Sequence, residues 1–268
     1  MPTLAIAILQ FTPGTDPDAN LREIENGARR ASAAGARLLI APEYSAFFAP
    51  TLDTAYLEAA QPLDGAFCSG LASCSAATGI TIIAGMNERA DRADRFWNTL
   101  VVADPAGGAG VGYRKVHLYD AFGARESEWI EPGDPAQLPV IEIEGVRIGL
   151  ETCYDLRFPE ISRRLAGEAA VDAIAVPAEW VRGPGKERHW NTLLAARAIE
   201  NTIWMLGAGQ SPPIGIGCSA VVAPDGTVRA AAGAEPELLF ASIDTEAVAR
   251  VRHTNPSLAA RRYAIAPR

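Results

Sequence analysis

Val146-Arg147-Ile148-Gly149-Leu150-Glu151-Thr152-Cys153-Tyr154-Asp155-Leu156-Arg157-Phe158-Pro159-Glu160 reads as a strand, a tight turn and the opening of a helix. The apolar run predicts a strand over Val146–Thr152. The sequence Pro159–Glu168 predicts a helix with proline in its first turn, where its missing N–H costs nothing. Only a few residues separate the two, so Cys153 is lifted to the edge of a sheet, with backbone N–H groups aimed at whatever binds there. A thiol is mostly protonated at neutral pH and becomes a good nucleophile only beside a base or a positive charge. The competing reading is a small buried apolar side chain, the commonest fate of a free cysteine. Position alone leaves both open.

Outward from this turn the chain alternates short apolar strands with amphipathic helices. Toward the N-terminus the pattern predicts strands at Leu4–Gln10, Arg37–Ala41 and Ile80–Asn87, and helices at Asn20–Gly35 and Pro62–Thr78. Asn98–Asp104 and Gly110–Tyr113 flank Pro105-Ala106-Gly107-Gly108 as a hairpin, and Val140–Glu144 pairs with Val146–Thr152 across Gly145. Toward the C-terminus come a strand at Ala173–Pro177, a helix at Trp190–Asn201 and a strand at Ile203–Ala208. Gly217–Ala223 and Leu239–Ile243 flank the turn Pro224-Asp225-Gly226. The segment 246–268 reads as a basic, proline-interrupted tail. No linker or repeat divides the chain, so residues 1–268 read as one domain. Hairpins mixed with crossover helices predict two mixed sheets with helices outside. The simpler alternative is one doubly wound parallel sheet.

Composition narrows the function. The 268 residues are 49% hydrophobic and 21% charged, with a net charge of −8. That gives a buried core and a poor partner for phosphate backbones or anionic lipid, so neither nucleic-acid nor membrane binding is expected. The start, Met1 to Leu9, has no positive flank and reads as a buried strand rather than a signal peptide. Four cysteines (Cys68, Cys74, Cys153, Cys218) form no Cys-x-x-Cys pair, and the histidines His117, His189 and His253 are far apart. A cytoplasmic setting without a metal site is the expectation.

Four further residues can carry chemistry. Glu43 follows the stiff Pro42 at a strand end, as a pocket-facing general base or as a solvated loop carboxylate. Lys115 closes the strand at Val111–Tyr113, as an oxyanion-stabilising point charge or as a surface lysine. His117 admits a Cys–His pair, but the absence of flanking glycines at Cys153 favours a histidine bonded to the backbone. Glu126, before Pro132-Gly133, reads as a loop or capping carboxylate.

Taken in order, these residues and their flanks resemble the nitrilase superfamily of carbon–nitrogen hydrolases, in its Nit-like amidase branch. The resemblance rests on Ala41-Pro42-Glu43, on Tyr113-Arg114-Lys115-Val116-His117-Leu118, and on Gly149 through Glu160 around Cys153. Asn98-Thr99, Glu126-Ser127 with Pro132-Gly133, Ala196-Arg197-Ala198-Ile199-Glu200-Asn201, and Ser219 with Pro224-Asp225-Gly226 support it. It implies an α/β fold, an αββα sandwich, and catalysis without metal or organic cofactor. By position it makes Cys153 the nucleophile, Glu43 the general base, Lys115 the oxyanion stabiliser and Glu126 the residue that positions substrate and lysine. The Tyr154 N–H becomes the second oxyanion donor. Arg157 matches an arginine associated with a substrate carboxylate, or else braces the turn by pairing with Asp155 or Glu160.

The resemblance has departures. Tyr154-Asp155 stands where nitrilases usually carry Trp-Glu, and Glu151-Thr152 replaces a small apolar pair. Gly217-Cys218-Ser219 has Cys where His is common, and the segment between Lys115 and Glu126 is shorter than in the Nit amidases. The function implied is hydrolysis of a small carboxylated amide to acid and ammonia through a thioester, by a homodimer or larger homo-oligomer. The alternatives are an N-carbamoyl amino acid hydrolase and a catalytically silent member used in binding or assembly.

Overall fold

The computed structural model describes residues 1–267. In chain order the strands and helices are β1 (Thr3–Gln10), α1 (Pro17–Ala33), β2 (Leu38–Ile40), α2 (Thr54–Ala59), α3 (Ala66–Thr78), β3 (Thr81–Arg89), β4 (Phe96–Asp104), β5 (Gly108–Arg114), β6 (Val140–Ile143), β7 (Val146–Leu150), α4 (Pro159–Gly167), β8 (Ala173–Ala178), α5 (Lys186–Asn201), β9 (Trp204–Gly209), β10 (Ala220–Val222), β11 (Val228–Ala231), β12 (Glu237–Asp244) and α6 (Thr245–Thr254). Short 3-10 turns lie at Glu126–Glu128 and Cys153–Arg157.

The strands form two six-stranded mixed sheets, ordered β12-β1-β2-β3-β4-β5 and β11-β10-β9-β8-β7-β6. This is the two-sheet expectation rather than the single parallel sheet. The alternation of side chains along a strand explains the layering. In β1, Leu4, Ile6 and Ile8 point into a central core shared with Ile148, Leu150 and Ala175 of the second sheet. Ala7 and Leu9 point the other way and meet Ile24 and Ala28 of α1 and Leu71 of α3. On the far side, Leu165 of α4 and Trp190 and Leu194 of α5 cover Ile174, Val176 and Met205. The result is helix, sheet, sheet, helix. Among the described residues, no helix is long and apolar enough to cross a membrane.

Local chemistry sets the helix ends. The Asp16 carboxylate accepts from the N–H groups of Asp18 and Ala19, and Pro17 opens α1. Gly79 closes α3 in the left-handed region at φ 67°.

Two sequence readings are corrected. The Pro224-Asp225-Gly226 turn joins β10 to β11 rather than to Leu239–Ile243, which crosses to the other sheet and pairs with β1. β11 is short and mostly exposed, so it lacks the apolar pattern that marks a strand. The tail is also structured at its start. Asp244 caps α6, and Ala247 and Val248 are buried in the central core. Within the tail, only residues 255–267 are irregular.

The layering gathers strand ends. β2 and β3 are parallel, and β5, two antiparallel steps on, points the same way as β3. In the other sheet β7, β8 and β9 are parallel. The loops beyond the carboxyl ends of β2, β5, β7 and β8 converge, the usual place for ligands in such sheets.

Candidate active site

Cys153 sits three residues beyond β7, at φ 46°, in the left-handed region that a residue with a Cβ adopts only when its surroundings hold it there. Asp155 is the main clamp. This fully buried carboxylate accepts from the Thr152 N–H at 3.1 Å, the Tyr113 hydroxyl at 2.8 Å and the His117 N–H at 2.9 Å. It therefore ties the Cys153 turn to the end of β5, where Lys115 emerges. Thr152 and Asp155 also form a reciprocal capping box on the turn.

His117 belongs to this clamp. Its Nδ1 lies 2.7 Å from Asp155 Oδ1 and its ring stacks on Phe158 at 3.8 Å. The expected backbone-bonded histidine is thus held by a carboxylate, which no local spacing revealed.

Lys115 is 1% exposed and lies between two carboxylates. Its Nζ is 2.9 Å from Glu43 Oε1, and 3.0 Å and 2.9 Å from the two oxygens of Glu126. Burial alone would lower the lysine pKa, but Glu126 and Glu43 outweigh it and hold the ammonium charged, with its pKa well above the ordinary value. Glu43 also accepts from Asn98 Nδ2 at 2.7 Å and from the Glu179 N–H at 2.8 Å. Glu126 accepts from the Tyr44 hydroxyl at 3.0 Å and the Tyr119 N–H at 2.7 Å. Two glycines allow these close approaches. A Cβ on Gly85 would stand 2.5 Å from the Tyr44 nitrogen and 2.7 Å from Glu43 Cα, and one on Gly133 would stand 2.2 Å from the Arg114 carbonyl oxygen.

Cys153, Glu43, Lys115, Glu126, Tyr154 and Arg157 line one narrow cavity, so all six sequence candidates come together. Burial and the carboxylates of Glu43, Glu126 and Glu179, opposed only by Lys115, push the Cys153 thiol pKa well above its ordinary value. The resting residue is a neutral thiol, unlike a thiolate paired with imidazolium. Arg157 forms no ion pair with Asp155 or Glu160. Its guanidinium lies over Trp180 at 4.7 Å and over Tyr154 and Phe122 at 5.9 Å, and its Nε has no partner among the described residues.

Sequence reading missed Glu179 and Lys186, which line the same cavity. Lys186 opens α5, is 6% exposed, and donates to the Tyr119 hydroxyl at 2.8 Å, with Phe122 4.1 Å from its ammonium. A lysine in the first turn opposes the helix dipole, a signal that could have marked it. The expected helix start at Trp190 hid that signal. A wider chamber of about 790 Å³ adjoins the cavity past Tyr119, Phe122 and Arg182.

This geometry can be set against known proteins. The family model for carbon-nitrogen hydrolases matches residues 5–253. A protein named Hydrolase Rv0480c from Mycobacterium tuberculosis is 38% identical over 266 residues, covering 93% of this chain and 92% of that one. Deaminated glutathione amidase from Synechocystis is 34% identical over 275 residues, covering 96% and 97%. The NitN amidase from Nesterenkonia superposes with a TM-score of 0.82 at 29% identity, covering 97% and 96%. With a matched family model spanning nearly all of the αββα sandwich, and amidases of the nitrilase superfamily sharing that sandwich, the chain belongs to the carbon-nitrogen hydrolase family.

Proposed function

We propose that the protein hydrolyses a small carboxylated amide to the acid and ammonia through a thioester on Cys153. The observation that carries this reading is the neutral thiol sharing its cavity with a buried ammonium clamped by two carboxylates. A neutral thiol needs a base as it attacks, and Glu43 supplies one. Cys153 Sγ adds to the amide carbon while its proton passes to Glu43. The developing oxyanion is stabilised by the Lys115 ammonium and the Tyr154 N–H, which as a first-turn donor of the Cys153–Arg157 segment is available for an anion. Glu43 returns the proton to the amide nitrogen, and ammonia leaves. Glu43 then takes a proton from water as hydroxide adds to the thioester. Collapse releases the acid and expels the Cys153 thiolate, which takes that proton from Glu43 and restores thiol and base. Glu126, held by Tyr44 and the Tyr119 N–H, keeps Lys115 in place throughout.

Arg157 is the carboxylate receptor in this reading. An unpaired guanidinium at the cavity, without the Asp155 or Glu160 partner a brace requires, supports binding of an anion from substrate. The relatives named deaminated glutathione amidase support a carboxylated amide and make deaminated glutathione the first substrate to assay. The test is ammonia release across deaminated glutathione, ω-amides of dicarboxylic acids, N-carbamoyl amino acids and nitriles. Carboxylated amides should turn over fastest, and Cys153→Ala should leave none. Ammonia release by folded Cys153→Ala protein, or carbon dioxide released with ammonia from N-carbamoyl substrates as the best reaction, refutes the proposal. Fast, selective alkylation of Cys153 by iodoacetamide separates an active enzyme from a silent member.

A further inference from the structure

We infer that Glu179 takes part in substrate recognition, forming with Arg157 and Lys186 a subsite that accepts the carboxylate of an anionic amide and disfavours an ammonium. The inference deepens the amidase reading and rests on it. Glu179 directly follows β8, and its backbone N–H is held by Glu43 Oε2 at 2.8 Å, so its position is set by the catalytic carboxylate itself. Glu179 lines both the narrow cavity and the wide chamber. Among the described residues no cation forms an ion pair with it. The Lys115 ammonium is engaged by Glu43 and Glu126, and the Lys186 ammonium donates to the Tyr119 hydroxyl.

Charge balance follows from that arrangement. The cavity holds the cations Lys115, Arg157 and Lys186 against the carboxylates Glu43 and Glu126, with Glu179 as the remaining acid. If Glu179 is protonated, the cavity is one negative charge short, and a monoanionic substrate completes it. If Glu179 is ionised, the charges already balance. Burial, with Glu43 and Glu126 nearby, pushes the Glu179 pKa up to about 8, Lys115 and Lys186 opposing. The proton so retained lets Glu179 donate a charge-assisted hydrogen bond to the carboxylate that Arg157 holds. The other titratable groups facing it are Tyr44 and Tyr56 from the β2–α2 side, Tyr119 and Cys153. All have raised pKa values and remain neutral at pH 8. Lys186 is the exception: burial and Arg157 lower its pKa, so its own loss of charge also weakens anion binding at alkaline pH.

The test separates the two groups by titrating glutaramate, a monoanionic amide, into the Cys153→Ala protein by calorimetry from pH 6 to 10. The dissociation constant should be flat below pH 7 and rise above about pH 8, approaching about tenfold per pH unit. In Cys153→Ala/Glu179→Gln, whose amide imitates the neutral acid, affinity at pH 7 should stay within a few-fold and the rise should move to more alkaline pH. Glu179→Ala in the same background should weaken binding roughly tenfold at pH 7. Glutamine, the same amide with an added ammonium, should bind at least tenfold more weakly than glutaramate. An unchanged alkaline rise in the Gln variant, an undiminished affinity in the Ala variant, tighter binding of glutamine, or no glutaramate binding at any pH overturns the inference. Because binding to an inactive protein is read, failure of the amidase reading shows separately, as a wild-type enzyme that binds glutaramate and releases no ammonia from any amide.

Discussion

Replacing Glu151 by Gln tests how the turn behind Cys153 is stabilised. Glu151 is fully buried two residues before the cysteine. Ser162 donates to its Oε1 at 2.5 Å, while Oε2 has no partner among the described residues. Burial is the main cause of a pKa pushed from 4.5 to about 8. Ser162 opposes it, Asp155 adds to it, and Arg197 offsets part of it. The sign follows from linkage: a carboxyl with a raised folded-state pKa keeps its proton in the fold and loses it on unfolding. Its contribution is fully present below about pH 4.5 and is lost as pH rises to about 8. That interval is about 3.5 pH units, which at about 1.4 kcal/mol each sets a ceiling of about 5 kcal/mol. Glutamine has nearly the same shape and cannot ionise. Glu151→Gln should therefore match the wild type near pH 5 and be more stable by several kcal/mol at pH 8 to 9, with urea midpoints diverging steadily between. Activity at pH 7 should change little, since Gln imitates the protonated side chain. Parallel stability curves for the two proteins across pH 5 to 9 would refute the reasoning.

Further outcomes follow from the same contacts. Lys115→Ala should slow thioester formation by roughly 100- to 1000-fold through loss of an oxyanion donor, and should cost about 3–5 kcal/mol of stability by stranding Glu43 and Glu126. His117→Ala should leave acylation much faster than that, and single-turnover rates on folded protein decide between them. Arg157→Lys should raise KM for carboxylated amides and spare a neutral amide of similar size, whereas equal losses of kcat on both, with a lower Tm, would mark a structural role. Gly85→Ala should lower both activity and stability, by about 1–3 kcal/mol for the latter, because the added methyl collides with the Glu43–Tyr44 backbone. Retained activity and an unchanged Tm would contradict that packing.

Much of the fold and of the candidate site is legible in the sequence. The alternation of Leu4, Ile6 and Ile8 with Ala7 and Leu9 marks β1 as a strand covered on both faces, and Pro159 after the Cys153 turn marks the start of α4. These signals are local, set by side-chain period and by the conformations proline permits. Glu43, Lys115, Glu126 and Cys153 were legible through their flanking motifs, because strand ends carry short, ordered residue patterns. What only the tertiary structure decided is who meets whom. Asp155, which the sequence offers with Glu160 as a possible brace for Arg157, instead binds Thr152 of its own turn and, from a distant element, Tyr113 and His117. Arg157 was left without its expected partners, and Glu179 and Lys186 joined the cavity from segments with no motif. Leu239–Ile243 joined the opposite sheet from the hairpin it follows. Strand order, buried ion pairs and pKa shifts depend on distances between residues far apart in sequence. Those distances are set by how the two sheets stack and not by the period of either chain segment.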